Sequence, residues 1–129
     1  MRAAITRGIA GVAGGLVVWM LIATVGNLGL RFAWTGYADV EKEMTFTLAM
    51  LFGRLILGAV ASFCAGAAVS WIAKRNYRVV AIFAGVLFAL FVPVHYELWS
   101  RFPIWYHLVF LASLIVMPLL GAALFRRAS

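Results

Sequence analysis

The sequence predicts an all-α membrane protein, a bundle of four transmembrane helices with both termini on the cytoplasmic side. Hydrophobic residues make up 66% of the 129 residues and charged residues only 12%. A soluble protein of this size would need more charge on its surface. The apolar residues form four long runs, and most basic residues stand at one end of these runs. The length fits a single transmembrane domain over residues 1–129.

The four apolar runs have the length of membrane spans. They cover residues 8–30, 44–73, 79–98 and 104–125. At a rise of about 1.5 Å per residue, each can cross about 30 Å of hydrocarbon. The first run follows Arg2 and Arg7, and a basic start before an apolar core is also typical of a cleaved signal peptide. That alternative would leave three spans in the same orientation.

The charged residues predict the orientation of the spans. One side collects seven basic residues and no acid: Arg2, Arg7, Lys74, Arg75, Arg78, Arg126 and Arg127. The other side collects all the acids with three basic residues: Asp39, Glu41, Glu43, Glu97, Arg31, Lys42 and Arg101. The positive-inside rule places the first side in the cytoplasm. Because the basic residues lie at span ends and not on a soluble basic module, the net charge of +7 does not indicate nucleic-acid binding.

Small residues mark the faces on which the helices are expected to pack, because lipid provides no hydrophobic drive for helix association. These residues are Gly11 and Gly15 in the first span, Gly58, Ser62, Gly66 and Ser70 in the second, and Ala81, Gly85 and Ala89 in the third. Pro93 and Pro118 are expected to bend their helices and to free the carbonyl groups of Ala89 and Leu114. The stripes predict contacts either inside one chain or between copies in a homo-oligomer.

Arg54 is the one charged residue deep inside a predicted span. It lies roughly 13 Å from the outer end of the second span, where an arginine costs about 2.5–3.5 kcal/mol. Other polar residues at similar depth are its expected partners. They form a predicted outer-leaflet cluster of Asn27, Thr47, Arg54, His95, Glu97 and His107. This cluster is interpreted either as an internal clamp that fixes the bundle or as a ligand site.

Aromatic residues accompany the predicted outer loops. They are Phe32, Trp34, Tyr37, Tyr96, Trp99, Phe102, Trp105 and Tyr106. An interfacial aromatic belt is the favoured interpretation, and an aromatic-walled entrance for an amphipathic ligand is the alternative.

Catalytic and metal chemistry find little support in the residues present. His95 and His107 invite a haem or metal hypothesis, but carboxylates are few and Cys64 is the single cysteine. Ser62, Ser70 and Ser113 stand among small packing residues with no base in reach. We therefore expect no enzyme activity, no cofactor and no bound metal.

The segment Arg101-Phe-Pro-Ile-Trp-Tyr-His-Leu-Val-Phe-Leu, continuing to Pro118-Leu-Leu-Gly121-Ala, resembles the last span of small uncharacterised four-span bacterial inner-membrane proteins. The resemblance covers residues 101–123 and implies a bacterial inner-membrane location but no activity. Two functions follow as expectations. The first is a non-enzymatic accessory or structural subunit that packs against a membrane-protein partner. The alternative is a carrier or binding protein for an anionic or amphipathic ligand, with a pocket around Arg54.

Overall fold

The structure is a computed structural model that describes residues 2–128 and the side chains of residues 2–125. The described chain is helical and free of strands. Its helices are α1 (Arg2–Ala33), α2 (Tyr37–Glu43), α3 (Leu48–Ile72), α4 (Tyr77–Glu97) and α5 (Ile104–Ala128). The helices α1, α3, α4 and α5, the last over Ile104–Phe125, are long and apolar enough to cross a membrane. The prediction of four such helices is confirmed. The side chains of Arg126 and Arg127 lie outside the described residues.

The short helix α2 is the element that the sequence did not predict. It lies between Gly36 (φ 85°) and Met44 (φ 57°), two residues in the left-handed conformation that redirect the chain at each end. The second long helix starts at Leu48 and not at residue 44, because Thr47 caps it by accepting a hydrogen bond from the Met50 amide at 3.3 Å. This end of the bundle is called the α2 end below.

The helix α3 is the centre of the bundle and packs against α1, α4 and α5. Its closest neighbour is α5, because two glycines let the backbones touch. A β-carbon built on Gly66 would overlap the backbone of Pro118, and one built on Gly121 would overlap the backbone of Phe63. The two contacts are reciprocal, so any side chain at either glycine forces α3 and α5 apart.

Small residues on α1 and α3 lie where the helices meet, whereas those on α4 do not. Buried positions include all six predicted on these two helices: Gly11, Gly15, Gly58, Ser62, Gly66 and Ser70. On α4, however, Ala81, Gly85 and Ala89 are exposed, and a β-carbon on Gly85 would meet nothing within 4 Å. Among the described residues, the close helix contact expected at this stripe is therefore absent. The large residues Phe83 and Leu87 fill the interior instead.

A tryptophan joins α1 to the centre of the bundle. The Trp19 indole N–H donates to the Ser62 hydroxyl at 2.9 Å, and that hydroxyl donates to the Gly58 carbonyl at 2.8 Å. The Trp19 ring also packs on Phe91 of α4, with 4.9 Å between ring centroids. This contact brings α1 and α4 together near mid-height. The candidate functional site lies between it and the α2 end.

Candidate functional site

Arg54 lies about two turns into α3 and is held from several sides. Its Nη1 donates to the Tyr37 hydroxyl at 2.9 Å and its Nε donates to the Tyr106 hydroxyl at 3.2 Å. The guanidinium carbon stands 4.5 Å above the Phe46 ring centre, within the range of a cation–π interaction. Glu41 brings a carboxylate oxygen to 3.9 Å from Nη1. Neighbouring groups of α2, α5 and the α2–α3 connection thus stabilise the charge.

A hydrogen-bond chain continues from Arg54 to α1. The Tyr37 hydroxyl donates to Asn27 Oδ1 at 3.3 Å, and Asn27 Nδ2 donates to Glu41 Oε2 at 3.1 Å. Arg31 Nε donates to Glu41 Oε1 at 2.6 Å. We call this set the Arg54 network. Its members are Asn27, Arg31, Tyr37, Glu41, Phe46, Arg54 and Tyr106.

The charges in the Arg54 network do not cancel. Arg31 and Arg54 are cations, and Glu41 is the single acid among its members. The carboxylate lies 2.6 Å from Arg31 but 3.9 Å from Arg54, so its charge mainly neutralises Arg31. The Arg54 Nη2 group has no acceptor among the described residues, and the Arg54 side chain is 28% exposed. One positive charge with free N–H groups is left at Arg54.

Glu41 has a lowered pKa. Burial raises the pKa of its carboxyl, but hydrogen bonds from Arg31 and Asn27 and the positive charges of Arg31 and Arg54 together lower it below the ordinary value of 4.5. These contacts favour the ionised form, so folding and ionisation of Glu41 support each other.

The lowered pKa predicts a pH-dependent stability. The contribution of ionised Glu41 to the free energy of unfolding should be complete at pH values above its ordinary pKa. It should disappear as the pH falls through the lower pKa of the folded state. In detergent, wild type should be more stable to heat than Glu41→Gln near about pH 7, and the difference should shrink in acid. Asp39→Asn is the matched control, because Asp39 is exposed on the same helix. A wild-type advantage over Glu41→Gln that is unchanged in acid would contradict the prediction.

A cavity of about 490 Å³ lies beside the Arg54 network and is partly open to the outside of the bundle. Its polar wall includes Asn27, Arg31, Glu41 and Arg54. The rest is mostly apolar: Trp19, Met20, Ala23, Leu28, Leu57, Phe91 and Phe110. Along α1 it extends from Arg31 to Trp19, a distance of about 18 Å at the helical rise. Its volume lies within the range of about 300–1,000 Å³ that is typical of ligand sites.

Two buried histidines form a separate pair on α4 and α5. The Nδ1 atoms of His95 and His107 are 2.6 Å apart, and His107 Nε2 lies 3.2 Å from the Trp99 carbonyl oxygen. A carbonyl only accepts, so Nε2 of His107 carries a proton. In the neutral pair, His107 therefore accepts at Nδ1 and His95 donates from Nδ1. The Trp99 ring stacks on the His107 ring, with 4.7 Å between ring centroids.

The histidine pair predicts a stability cost when one partner is lost. His95→Phe should destabilise the protein by about 1–3 kcal/mol, because the buried His107 Nδ1 keeps no donor. Chemical unfolding in mixed detergent micelles measures the effect. Tyr96→Phe is the control, since Tyr96 is 82% exposed on the same helix and should change stability by less than about 0.5 kcal/mol. Equal stability of the two variants would show that the hydrogen bond contributes nothing.

The structure divides the predicted polar cluster. Asn27 and Arg54 belong to the Arg54 network, whereas Thr47 caps α3. His95 and His107 bond to each other, and the His95 ring reaches this network only through ring packing, 6.4 Å from the Tyr106 ring. Glu97 is exposed, and its side chain makes no hydrogen bond or ion pair with the described residues. Arg54 thus meets acid and hydroxyl partners that the depth argument did not name, Glu41, Tyr37 and Tyr106.

The aromatic residues of this end also divide into two groups. Phe32 and Tyr96 are 88% and 82% exposed, as a belt requires. Tyr37, Phe102 and Tyr106 are buried, and the rings of Phe102 and Tyr106 stack at 4.9 Å. Tyr37 and Tyr106 therefore belong to the Arg54 network and Phe102 packs on Tyr106, so these three residues are not part of an exposed belt.

Metal ligands are sparse in the part of the chain that the structure describes. Within it, no three histidine, cysteine, aspartate or glutamate side chains come together. Two histidine nitrogens that bind one tetrahedral zinc ion each lie about 2.0–2.1 Å from the metal and therefore more than 3 Å from each other. The two Nδ1 atoms of the histidine pair are only 2.6 Å apart, which is too close for such a site.

Comparison with known proteins finds no relative. No protein-family model, curated protein or solved structure matches the chain. The Arg54 network and the cavity beside it are therefore the features that bear on function.

Proposed function

We propose that the chain binds an anionic amphipathic ligand in the cavity beside Arg54, as a carrier or binding protein of the bacterial inner membrane. In this proposal both termini are cytoplasmic, because the basic residues gather at that end of the bundle. The α2 end then faces outward, and the ligand enters from the outer leaflet. The bilayer is the first partner of such a chain, and its four long apolar helices support this.

The observation that carries the proposal is the unpaired part of Arg54 in the cavity wall. Arg54 lines the cavity, and its Nη2 has no acceptor among residues 2–125. An anionic headgroup would supply the missing acceptors through charge-assisted hydrogen bonds. The apolar walls from Leu57 down to Trp19 and Phe91 would surround the ligand's hydrocarbon part. The network hydroxyls already hold Arg54 in position, so little side-chain entropy is lost on binding.

The proposal includes no catalytic step. The titratable residues that line the cavity are Arg31, Glu41, Arg54 and Tyr106, and each of them is engaged in the Arg54 network. The histidine pair, the natural candidate for proton transfer, does not line it. Binding and release are therefore the proposed chemistry, with no cofactor or metal.

Native mass spectrometry of the protein, extracted gently from its host membranes, tests the proposal. We expect a discrete small-molecule adduct that negative-ion fragmentation identifies as an acid with an alkyl or similar apolar part. Removal of the adduct by detergent washing and its return on addition of the membrane lipid extract would establish reversible binding. Protein without adduct before and after the lipid extract is added would overturn it.

An accessory or structural subunit is the second candidate. It is favoured by the exposed stripe of Ala81, Gly85 and Ala89 on α4, where small side chains let another helix approach closely. In this case Arg54 acts as a clamp between α2, α3 and α5. The same experiment would then show larger co-purifying proteins or a homo-oligomer in place of an adduct.

A further inference from the structure

We propose that Glu41 sets the number of negative charges that the cavity accepts, so that the site selects ligands with a singly charged headgroup. This inference rests on the proposed function. Carboxylates and phosphodiesters carry one charge, whereas a phosphate monoester carries about two at neutral pH. Glu41 is thus assigned as the specificity-determining residue of the binding site.

The Glu41 carboxylate lies beside both cations of the site. Glu41 and Arg54 line the same cavity, and the carboxylate lies between the two cations, at 2.6 Å from Arg31 and 3.9 Å from Arg54. Glu41 therefore occupies the place that a second negative charge of a ligand would need. The positive charge of Arg54, which Glu41 does not neutralise, is then the one charge available to the headgroup.

Glu41 is held in place. Asn27 donates to Oε2 at 3.1 Å while Arg31 donates to Oε1, so both carboxylate oxygens are fixed. The helix that carries Glu41 is anchored by the fully buried Tyr37. A doubly charged headgroup at Arg54 would meet this fixed carboxylate at close range and be repelled.

Substitutions can change the net charge of the site in both directions. Glu41→Gln keeps the shape and leaves two cations, which should favour a dianion. Arg31→Gln frees Glu41 to neutralise Arg54, which should weaken the binding of every anion. Arg31 is 44% exposed at the rim, so its removal should leave the bundle folded.

Trp19 provides the readout because it lines the apolar end of the cavity. Probes are an alkyl carboxylate, an alkyl phosphate monoester and an alkanol of equal chain length, each with bromine at the far end to quench tryptophan fluorescence. A phosphodiester lipid with brominated chains tells whether a membrane lipid or a free acid is the better ligand. Titrations use the purified full chain in a nonionic detergent at fixed concentration. Trp19→Phe should lose the quenching.

In wild type, the carboxylate and the phosphodiester should quench Trp19 at lower concentration than the monoester and the alkanol. In Glu41→Gln, the affinity ratio of monoester to carboxylate should rise about 10-fold, because each added ligand charge gains from the removed repulsion. Arg31→Gln should lower the affinity for the carboxylate by about 10-fold. Asp39→Asn removes one negative charge, as Glu41→Gln does, and Lys42→Gln removes one positive charge, as Arg31→Gln does. Neither residue lines the cavity, so both controls should leave the affinity for the carboxylate and the affinity ratio of monoester to carboxylate unchanged.

The outcomes separate this inference from the proposed function. If wild type binds the carboxylate but neither variant changes affinity or ratio beyond its control, the role of Glu41 is refuted and the binding site stands. If wild type shows equal quenching by the carboxylate and the alkanol, both proposals are overturned. If Glu41→Gln does not fold, the loss or retention of carboxylate affinity in Arg31→Gln decides.

Discussion

Replacing Gly66 with alanine should destabilise the bundle by about 3 kcal/mol, the upper part of the usual range for overpacking. A β-carbon at this position would overlap the Pro118 carbonyl oxygen and the backbone atoms beside it. A backbone cannot rotate away as a flexible side chain can. The helices α3 and α5 must therefore separate, and the dispersion contacts along their whole interface weaken.

Unfolding in mixed detergent micelles measures this effect, and the chain offers a matched control. Gly121→Ala should behave like Gly66→Ala, because its β-carbon would overlap the Phe63 carbonyl oxygen from the opposite helix. Gly85→Ala adds the same methyl group on an exposed helix face with nothing within 4 Å. It should leave stability unchanged or raise it by up to about 1 kcal/mol, because alanine is the better helix former. Similar losses for Gly66→Ala and Gly85→Ala would show that α3 and α5 are not in backbone contact.

Replacing Arg54 with methionine should weaken binding of an alkyl carboxylate by about 10- to 100-fold. A hydrogen bond to a charged group contributes about 1.5–3 kcal/mol, and about 1.4 kcal/mol corresponds to a factor of 10 in affinity. Methionine removes the charge and all donors but keeps an unbranched side chain that extends as far as the Nε atom of arginine. The Trp19 quenching titration measures the loss.

The same variant separates a ligand site from a clamp. The fold should persist, because the Tyr37 hydroxyl keeps its acceptor on Asn27. The insertion cost of an arginine, about 2.5–3.5 kcal/mol, also disappears and offsets the partner lost by the Tyr106 hydroxyl, about 1–3 kcal/mol. Arg54→Lys, which keeps the charge, should lose less affinity than Arg54→Met. An unfolded Arg54→Met would favour the clamp, and a folded one with unchanged binding would remove Arg54 from the site.

The four long helices could be predicted because each needs only an uninterrupted apolar run. The helix α2 could not, because seven residues with three acids and a lysine carry no apolar period that distinguishes a helix from a loop. Tyr37 is fully buried, but an aromatic residue near a span end is equally typical of an interfacial belt. Tyr37 is buried because α2 folds back onto the bundle. The direction of α2 is set by Gly36 and Met44, the residues in left-handed conformation at its two ends.

The partners of Arg54 show what a depth argument provides and what it lacks. The helical rise places residues at a height, and it placed Asn27 and His107 near the level of the site. It does not give the rotation of one helix against another, which decides whether side chains at one height meet. The depth argument therefore could not predict that His107 contacts His95 or that Glu97 is exposed. The same missing rotation explains why the α4 stripe of Ala81, Gly85 and Ala89 lies outside the interior.

The order of the Arg54 partners along the chain has a consequence for biosynthesis. Asn27, Arg31, Tyr37, Glu41 and Phe46 all precede Arg54, and only Tyr106 follows it. A growing chain emerges from the ribosome with its N-terminal part first. The counter-charge, the aromatic face and one hydroxyl are thus already synthesised when the arginine appears. The nascent chain can thus surround its most costly residue with most of these groups before α4 and α5 exist, and Phe91, Tyr106 and Phe110 complete the cavity later.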